Sequence, residues 1–530
     1  MGGPNLAQVF EAAASRWPDR PAVVDADGVP QTYAELNRRA GALARFFVDA
    51  GVSRGDRIGL ALRKSPEAIT AMLAALKCGA AYVPLDVIAP AARNQRLLAA
   101  CDIRAVVGND DVGSFLSDDV VAGLRAVVGG NHLVHAGLRS MPFEDAVSAG
   151  ASAPALVESA GRDDVAYIIH TSGSTGEPKG AMITHGNACA FVDWCAREYV
   201  VTPDDRFSGF SPLFFDPSVI DVYVALSSGA SVHLISDEVG KSPKRLSALI
   251  ADRRLTVWTS TPSALMMLMQ FGGLGTDDSW SPRLVAFGGE VFPVKHLRAL
   301  QRCWPSAALM NMYGPTETTT ACTFARLPAV ISEERSTPFP IGTPCSHCRA
   351  LVLDESGREV ASGGTGELHI SGPSVFPGYW RRPEETAAAF LERDGTRWYR
   401  TGDLVRIDPR EGLVFVGRRD RMIKRRGFRI ELAEIERALL TSSSVLEAAA
   451  VATTSGDGVT QIAAFVVLSP EATTTIVELK TFCARTLPAY MTPDRFVIVE
   501  SLAKTVTAKV DHAALSRSLQ AERSMPVAAR

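Results

Sequence analysis

Between Tyr167 and Gly180 the chain reads Tyr-Ile-Ile-His-Thr-Ser-Gly-Ser-Thr-Gly-Glu-Pro-Lys-Gly. An apolar run, Val165 to Ile169, leads into a loop of small hydroxyl residues and glycines, and a helical pattern begins near His185. Glycines let backbone N–H groups approach phosphate oxygens, hydroxyls add donors, and Lys179 adds a positive charge. The chemistry open to such a loop is the holding of a polyphosphate; the plain alternative is a flexible Ser/Gly turn. It is not a Walker loop, because Lys179 is followed by Gly180 rather than Ser or Thr and the glycine spacing differs. Elsewhere, Asn311-Met-Tyr-Gly-Pro-Thr-Glu-Thr318, Tyr399-Arg-Thr-Gly-Asp403 and Phe215-Asp-Pro-Ser-Val-Ile-Asp221 place acidic residues near aromatic ones. Taken alone, Glu317 reads equally as a solvated carboxylate and Asp403 as a turn residue after Gly402.

Two other chemistries are disfavoured. Cys345-Ser-His-Cys348 has the spacing of half a zinc site, but no second pair follows it. Arg418 to Arg429 holds seven basic residues in twelve. Met422, Ile423, Phe428 and Ile430 interrupt that charge in a strand-like way, and no interleaved stacking aromatics suit a single-stranded nucleic acid. The formal net charge of −3, from 55 basic and 58 acidic residues, calls for neither nucleic acid nor an anionic membrane. The chain opens Met-Gly-Gly-Pro-Asn-Leu, without a secretory or myristoylation pattern, and no apolar run reaches the roughly 18 residues of a membrane helix. Nine scattered cysteines suit a reducing cytoplasm.

The elements that must position these residues alternate. Thr32 to Gly51 predicts a helix, with Thr32 and Glu35 as a capping box and Leu36, Ala40, Leu43, Ala44 and Phe47 on one face. Arg57 to Leu62 predicts a strand, Ser65-Pro66 opens a helix that stops at Gly79, and Ala81 to Leu85 predicts another strand. This alternation argues for an α/β fold with a doubly wound, mostly parallel sheet, whose ligands sit beyond the carboxyl ends of the strands. From about Ile341 the pattern changes to short strands, Ala350–Leu353, Gly366–Ile370 and Leu413–Val416, between Gly and Pro turns. The boundaries expected are residues 1–419 for a large N-terminal domain, with a β-rich subdomain over about 341–419, and 420–530 for a small α+β domain.

In order along nearly the whole chain, these motifs resemble the adenylate-forming superfamily, which includes acyl-CoA synthetases, luciferases and nonribosomal peptide synthetase adenylation domains. The phosphate loop Thr171 to Gly180 is accompanied by Leu76-Lys-Cys-Gly-Ala-Ala-Tyr-Val-Pro-Leu-Asp86, the Asp216 segment, the Glu317 segment and Gly366-Glu-Leu-His-Ile-Ser-Gly372. Tyr399 to Asp403, Gly417-Arg-Arg-Asp420, Arg426-Gly-Phe-Arg-Ile-Glu-Leu432, Leu487-Pro-Ala-Tyr-Met-Thr-Pro493 and Lys509-Val-Asp511 complete the series. The resemblance implies doubly wound αβαβα sheets plus a β-barrel-like subdomain and a mobile C-terminal domain. It implies ATP and Mg²⁺, with Thr171, Ser172, Gly173, Ser174, Thr175, Gly176 and Lys179 at the phosphates. Asn311, Met312, Tyr313, Gly314, Thr316 and the turn Gly288-Gly289-Glu290 would lie at the base, and Glu317 at the metal. Asp403 would take the ribose and Arg418 the ribose or phosphate. Lys509 would act in adenylation, Asp420 as hinge, and Lys424 and Gly427 in the later thiol-transfer arrangement.

By the same resemblance Asp216 would pair with a substrate ammonium, as in the amino-acid-activating branch. Pro217, Ile220, Thr259, Val285, Phe287, Met312, Thr320 and Ala321 would line the rest of the pocket. That set carries no charge, so the expected substrate is a neutral, largely apolar α- or β-amino acid. No condensation signature or carrier motif is found, and the chain ends 21 residues after Lys509. This reads as a stand-alone enzyme loading the phosphopantetheine thiol of a separate carrier protein. One departure is Thr507-Ala508, where Asn-Gly is common before the final lysine. The competing readings are an acyl- or aryl-CoA ligase of the same superfamily and a nucleotide-binding regulatory protein.

Overall fold

The structure is a computed structural model and describes residues 3–109, 112–129, 135, 137–151, 160–173, 177–274, 280–454, 459–504 and 510–524. They divide into two compact units. The first comprises Met1–Val87, Gln95–His170 and Gly180–Arg419; the second comprises Ile88–Asn94, Thr171–Lys179 and Asp420–Arg530.

The first unit is doubly wound. Among the described residues, one eight-stranded sheet is built around Val165–Thr171, Ala81–Pro84, Arg57–Ala61 and Ala105–Gly108. These neighbours are parallel. A nine-stranded sheet runs through Ala308–Tyr313, Leu284–Gly288, Val257–Ser260, Arg206–Gly209 and Ser231–Leu234 in that order, again parallel. The strands are apolar runs buried on both faces, as parallel sheets require; all five residues of Arg57–Ala61 and all four of Val257–Ser260 are buried.

The helices begin where their caps say. The helix Tyr33–Asp49 has Thr32 as N-cap, whose Oγ1 accepts from Glu35 N at 3.2 Å. The helix Pro66–Lys77 starts with Ser65 Oγ accepting from Ala68 N at 3.2 Å and with proline in its first turn. Five antiparallel strands form a third sheet, centred on Thr365–Ser371 and Thr396–Asp408 and including Arg349–Leu353 and Gly412–Arg418. It is the short-stranded region expected after Ile341. No helix among the described residues is long and apolar enough to cross a membrane.

In the second unit the basic stretch becomes a hairpin, Met422–Arg425 against Phe428–Glu431. Its two-residue turn is Arg426-Gly427, with φ +51° and +81°. Positive φ at both central residues is what a tight hairpin turn needs, and glycine takes the second without cost. A three-stranded sheet, Val445–Thr454, Thr460–Leu468 and Arg495–Ile498, packs with the helices Leu432–Leu440 and Ile476–Thr486 around Ile435, Leu439, Ile462, Leu479 and Phe496.

The charge of the basic stretch is largely consumed inside each unit. Arg418 pairs with Asp403 at 2.6 Å and Arg419 with Glu367 at 2.7 Å. Arg421 pairs with Glu436 at 2.5 Å, and Arg425 pairs with Asp494 and donates to the carbonyls of Tyr490 and Thr492. A nucleic-acid surface would instead leave its guanidinium groups free for phosphates.

Candidate active site

The carboxyl ends of the parallel strands of the nine-stranded sheet carry the expected residues. Phe287 is the last residue but one of Leu284–Gly288, Thr259 lies in Val257–Ser260, and Asn311, Met312 and Tyr313 close Ala308–Tyr313. Gly288 is there for close approach, because a Cβ would stand 2.3 Å from the Met312 carbonyl oxygen. Gly289 follows with φ +85°. Glu290 is spoken for locally: its Oε2 accepts from Ser263 N at 3.0 Å and Ser263 Oγ at 2.5 Å, at the start of the helix Pro262–Phe271. One Asn311 amide hydrogen goes to the Pro340 carbonyl at 2.8 Å.

After Tyr313 the chain turns sharply. A Cβ on Gly314 would stand 2.5 Å from Ala321 Cα. A short 3₁₀ turn, Thr316–Thr318, is followed by two non-glycine residues with left-handed backbone, Thr319 at φ +58° and Thr320 at φ +73°. Such conformations cost of order 1–3 kcal/mol each and persist only where the surroundings hold them. Here hydroxyls do the holding: Thr318 Oγ1 donates to Pro315 O at 2.9 Å, Thr319 Oγ1 to Ser374 O at 2.7 Å, and Thr320 Oγ1 to Asp216 O at 3.1 Å. The turn carries Glu317, which is fully buried, and Tyr379 Oη donates to its Oε1 at 2.6 Å. The solvated-carboxylate reading of Glu317 is therefore set aside.

Asp403 lies in the strand Thr396–Asp408 and is 2% exposed. Tyr313 Oη donates to its Oδ2, and Arg418 Nη1 donates to its Oδ1 at 2.6 Å and to Thr401 O at 3.2 Å. Burial and then the Asp403 carboxylate push the Tyr313 phenol well above its usual range, so it stays a donor.

Asp216 is 7% exposed, and burial, Tyr82 and then Asp216 raise the neighbouring Tyr167 phenol. Pro217 is half-buried, while Ile220, Met312 and Ala321 are buried members of one apolar cluster. Val285 and Phe287 belong to a different cluster, with Trp258, Leu265 and Phe292; the Phe287 and Phe292 rings meet edge to face at 5.0 Å. Strand alternation explains the division, since Ala286 between them lies in the first cluster. Thr259 is buried, its N–H donates to Ser208 Oγ at 3.1 Å, and its own hydroxyl has no partner among the described residues.

In the second unit, Ser172 Oγ donates to Arg429 O at 2.8 Å and accepts from Glu431 N at 3.2 Å. Thr171 is buried, and Gly173 has no room for a side chain, since a Cβ would stand 2.1 Å from Glu177 O. Lys179 begins the strand Lys179–Thr184. Asp420 Oδ1 accepts from Met422 N at 3.2 Å, and Lys424 lies in the hairpin whose turn holds Gly427. Ser174, Thr175, Gly176 and Lys509 lie outside the described residues.

Reading the sequence missed Tyr379, whose only signal was an aromatic residue after Pro377-Gly378, and it gave no role to Lys64 or Asp221.

Comparison with known proteins bears on this arrangement. The profile of AMP-binding enzymes matches residues 10–380, and that of the AMP-binding enzyme C-terminal domain matches 434–509. The chain is 37% identical to an L-proline--[L-prolyl-carrier protein] ligase of Pseudomonas fluorescens, over 96% of this chain and 97% of that one. It is 38% identical to a protein of the same name from Streptomyces coelicolor, over 96% of each. Among solved structures, a holo nonribosomal peptide synthetase protein containing adenylation and PCP domains superposes with a TM-score of 0.78 at 28% identity, covering 97% of this chain and 84% of that one. With family profiles matched over residues 10–380 and 434–509, this chain belongs to the family of AMP-binding enzymes.

Proposed function

We propose that this chain is an ATP-dependent ligase that activates a neutral, largely apolar amino acid and passes it to the thiol of a separate carrier protein, with L-proline as the first candidate substrate. In the first step a carboxylate oxygen of the amino acid bonds to the α-phosphorus of ATP, the bond to the β-phosphate bridge breaks, and pyrophosphate leaves. In the second the phosphopantetheine thiol attacks the acyl carbon and AMP leaves.

The observation that carries the amino-acid reading is Asp216. It is a buried carboxylate at the position that, by resemblance, pairs with the substrate ammonium in the amino-acid-activating branch; a fatty or aryl acid brings no such ammonium. Ile220, Met312 and Ala321 offer an apolar wall with no group to neutralise a charged side chain. Proline fits this chemistry through a compact apolar ring and a secondary ammonium with two N–H donors for two carboxylate oxygens, and it is the amino acid named for the relatives at 37% and 38% identity.

Tyr313, Asp403 and Arg418 form the nucleotide side of the site, with Asn311 and the Gly288-Gly289 turn beside it. Glu317 is the residue that would hold Mg²⁺: a buried hard oxygen donor already fixed by Tyr379 suits that ion. When bound, Mg²⁺ neutralises phosphate charge. Lys179, Thr171 and the loop after it would serve the phosphates, and Lys509 would serve the attacking carboxylate. All nine cysteines are free, which fits a reducing cytoplasm.

The test is amino-acid-dependent exchange of pyrophosphate into ATP. L-proline and other compact neutral amino acids, α and β, should support exchange; Asp, Glu, Lys, Arg and fatty acids should not. Strong exchange with fatty acids and none with any amino acid would overturn the reading in favour of an acyl-CoA ligase.

A further inference from the structure

Five residues beyond Asp216 stands a second buried carboxylate, Asp221, 1% exposed. It lies in Ile220–Val224, a turn of π-helix. Wide turns of this kind are rare and frequently occur at functional sites. Its Oδ2 accepts from Ser211 N at 3.0 Å, and its Oδ1 has no hydrogen-bond partner among the described residues.

The bend it touches is held from a second direction. Lys64 Nζ donates to Phe210 O at 2.6 Å and to Gly209 O at 3.3 Å, and stands 5.8 Å from the centre of the Phe210 ring. One three-residue bend, at the carboxyl end of the strand Arg206–Gly209, thus gives its carbonyls to a cation and its N–H to a carboxylate. The chain that leaves this bend turns through Phe215 N to Pro212 O and Val219 N to Asp216 O, both 3.0 Å, and so delivers Asp216.

We propose that Asp221 is a positioning residue of the amino-acid site: with Lys64 it clamps the bend 209–211, and so fixes where the Asp216 carboxylate meets the substrate amine. The proposal rests on the amino-acid reading above. The groups facing Asp221 are Ser211 and Phe210 from the bend and Lys64 from the turn after Arg57–Ala61. Tyr199 faces it from the end of the helix His185–Glu198, and Asp237 lies beside Lys64.

The clamp carries a pH signature. Burial, opposed by Ser211 and Lys64, raises the Asp221 carboxyl to about 7; burial, opposed by Asp237 and Asp221, lowers the Lys64 ammonium to about 8. Below about 7 a protonated Asp221 accepts more weakly from Ser211 N–H. Above about 8 a neutral Lys64 holds the two carbonyls more weakly. KM for the amino acid is therefore lowest between these values and rises on both sides, whereas KM for ATP does not follow it.

The experiment measures both KM values by pyrophosphate exchange from pH 5.5 to 9 for the wild type, Asp221→Ala, Asp221→Asn, Lys64→Met and Asp216→Ala. Asp221→Ala should raise the amino-acid KM about tenfold, the scale of one hydrogen bond to a charged group, with KM for ATP unchanged. Asp221→Asn, which keeps an acceptor for Ser211, should restore most of that loss at neutral pH and abolish the acid limb. Lys64→Met should abolish the alkaline limb. An acid limb persisting in Asp221→Asn, or a wild-type amino-acid KM in Asp221→Ala, overturns the proposal. If Asp221→Ala does not fold, the Asp221→Asn profile decides alone. Near-normal activation by Asp216→Ala overturns the amino-acid reading itself, a separate result.

Discussion

The hydroxyl of Tyr313 donates to the carboxylate of Asp403 across 90 residues of sequence, joining the end of a parallel strand to the middle of an antiparallel one, while Arg418 takes the other carboxylate oxygen at 2.6 Å. Removing the hydroxyl alone, in Tyr313→Phe, should raise KM for ATP about tenfold and leave the amino-acid KM unchanged. Asp403→Ala should be worse, because it leaves Arg418 buried without its counter-charge. Breaking such a pair costs about 3–5 kcal/mol, so its melting temperature should drop as well as its nucleotide affinity. Equal and mild effects for both variants would mean that the pair is peripheral to nucleotide binding.

Tyr379 holds Glu317 at 2.6 Å. If Glu317 serves Mg²⁺, Tyr379→Phe should shift the Mg²⁺ concentration for half-maximal exchange upward by about ten- to a hundredfold, the range seen when groups orienting a ligand are lost. Saturating Mg²⁺ should recover the rate. Titration of exchange against Mg²⁺ reads this directly, and an unshifted midpoint argues against Glu317 as the ligand.

Asp216→Ala should abolish amino-acid activation with ATP binding intact, which equilibrium nucleotide binding and exchange measure separately. Retention of near-normal exchange would refute the ammonium assignment.

The two half-reactions should separate genetically. Lys509→Ala should slow acyl-AMP formation by about 10²–10³, the cost of one charge-stabilising donor, and spare transfer from supplied acyl-AMP to the carrier. Gly427 sits at φ +81° in a turn where any side chain is strained. Gly427→Leu should impair carrier loading more than exchange. Single-turnover loading and exchange, measured on both variants, check the pair; equal losses in both steps would contradict two working arrangements.

Buried histidines set an acid limit. Burial lowers His185 to about 4, and its Nδ1 accepts from Leu6 N at 3.2 Å. Its folded value lies below its unfolded one, so the unfolded chain binds the extra proton between about 6.5 and 4. The stability it contributes is present above about 6.5 and is lost as pH falls through that window. The gap in melting temperature between wild type and His185→Gln should therefore change across pH 6.5 to 4 and stay constant from 7 to 8.

Much of this was written locally. Thr32 and Ser65-Pro66 fixed helix starts because caps and proline act within one turn, and continuous apolar runs such as Val165 to Ile169 marked strands buried on both faces. The family was legible because many motifs resembling those of adenylate-forming enzymes stand in order along the chain. Partners were not legible. Nothing near Glu317 in sequence announces Tyr379, nor does anything near Asp403 announce Tyr313, since side-chain pairs 62 and 90 residues apart meet only when sheets pack. The division of Val285 and Phe287 from Ile220, Met312 and Ala321 depended on which face of a strand each occupies. The clamp of Lys64 and Asp221 is tertiary for the same reason: each residue reads alone as a surface charge, and only burial around one shared bend makes them a pair.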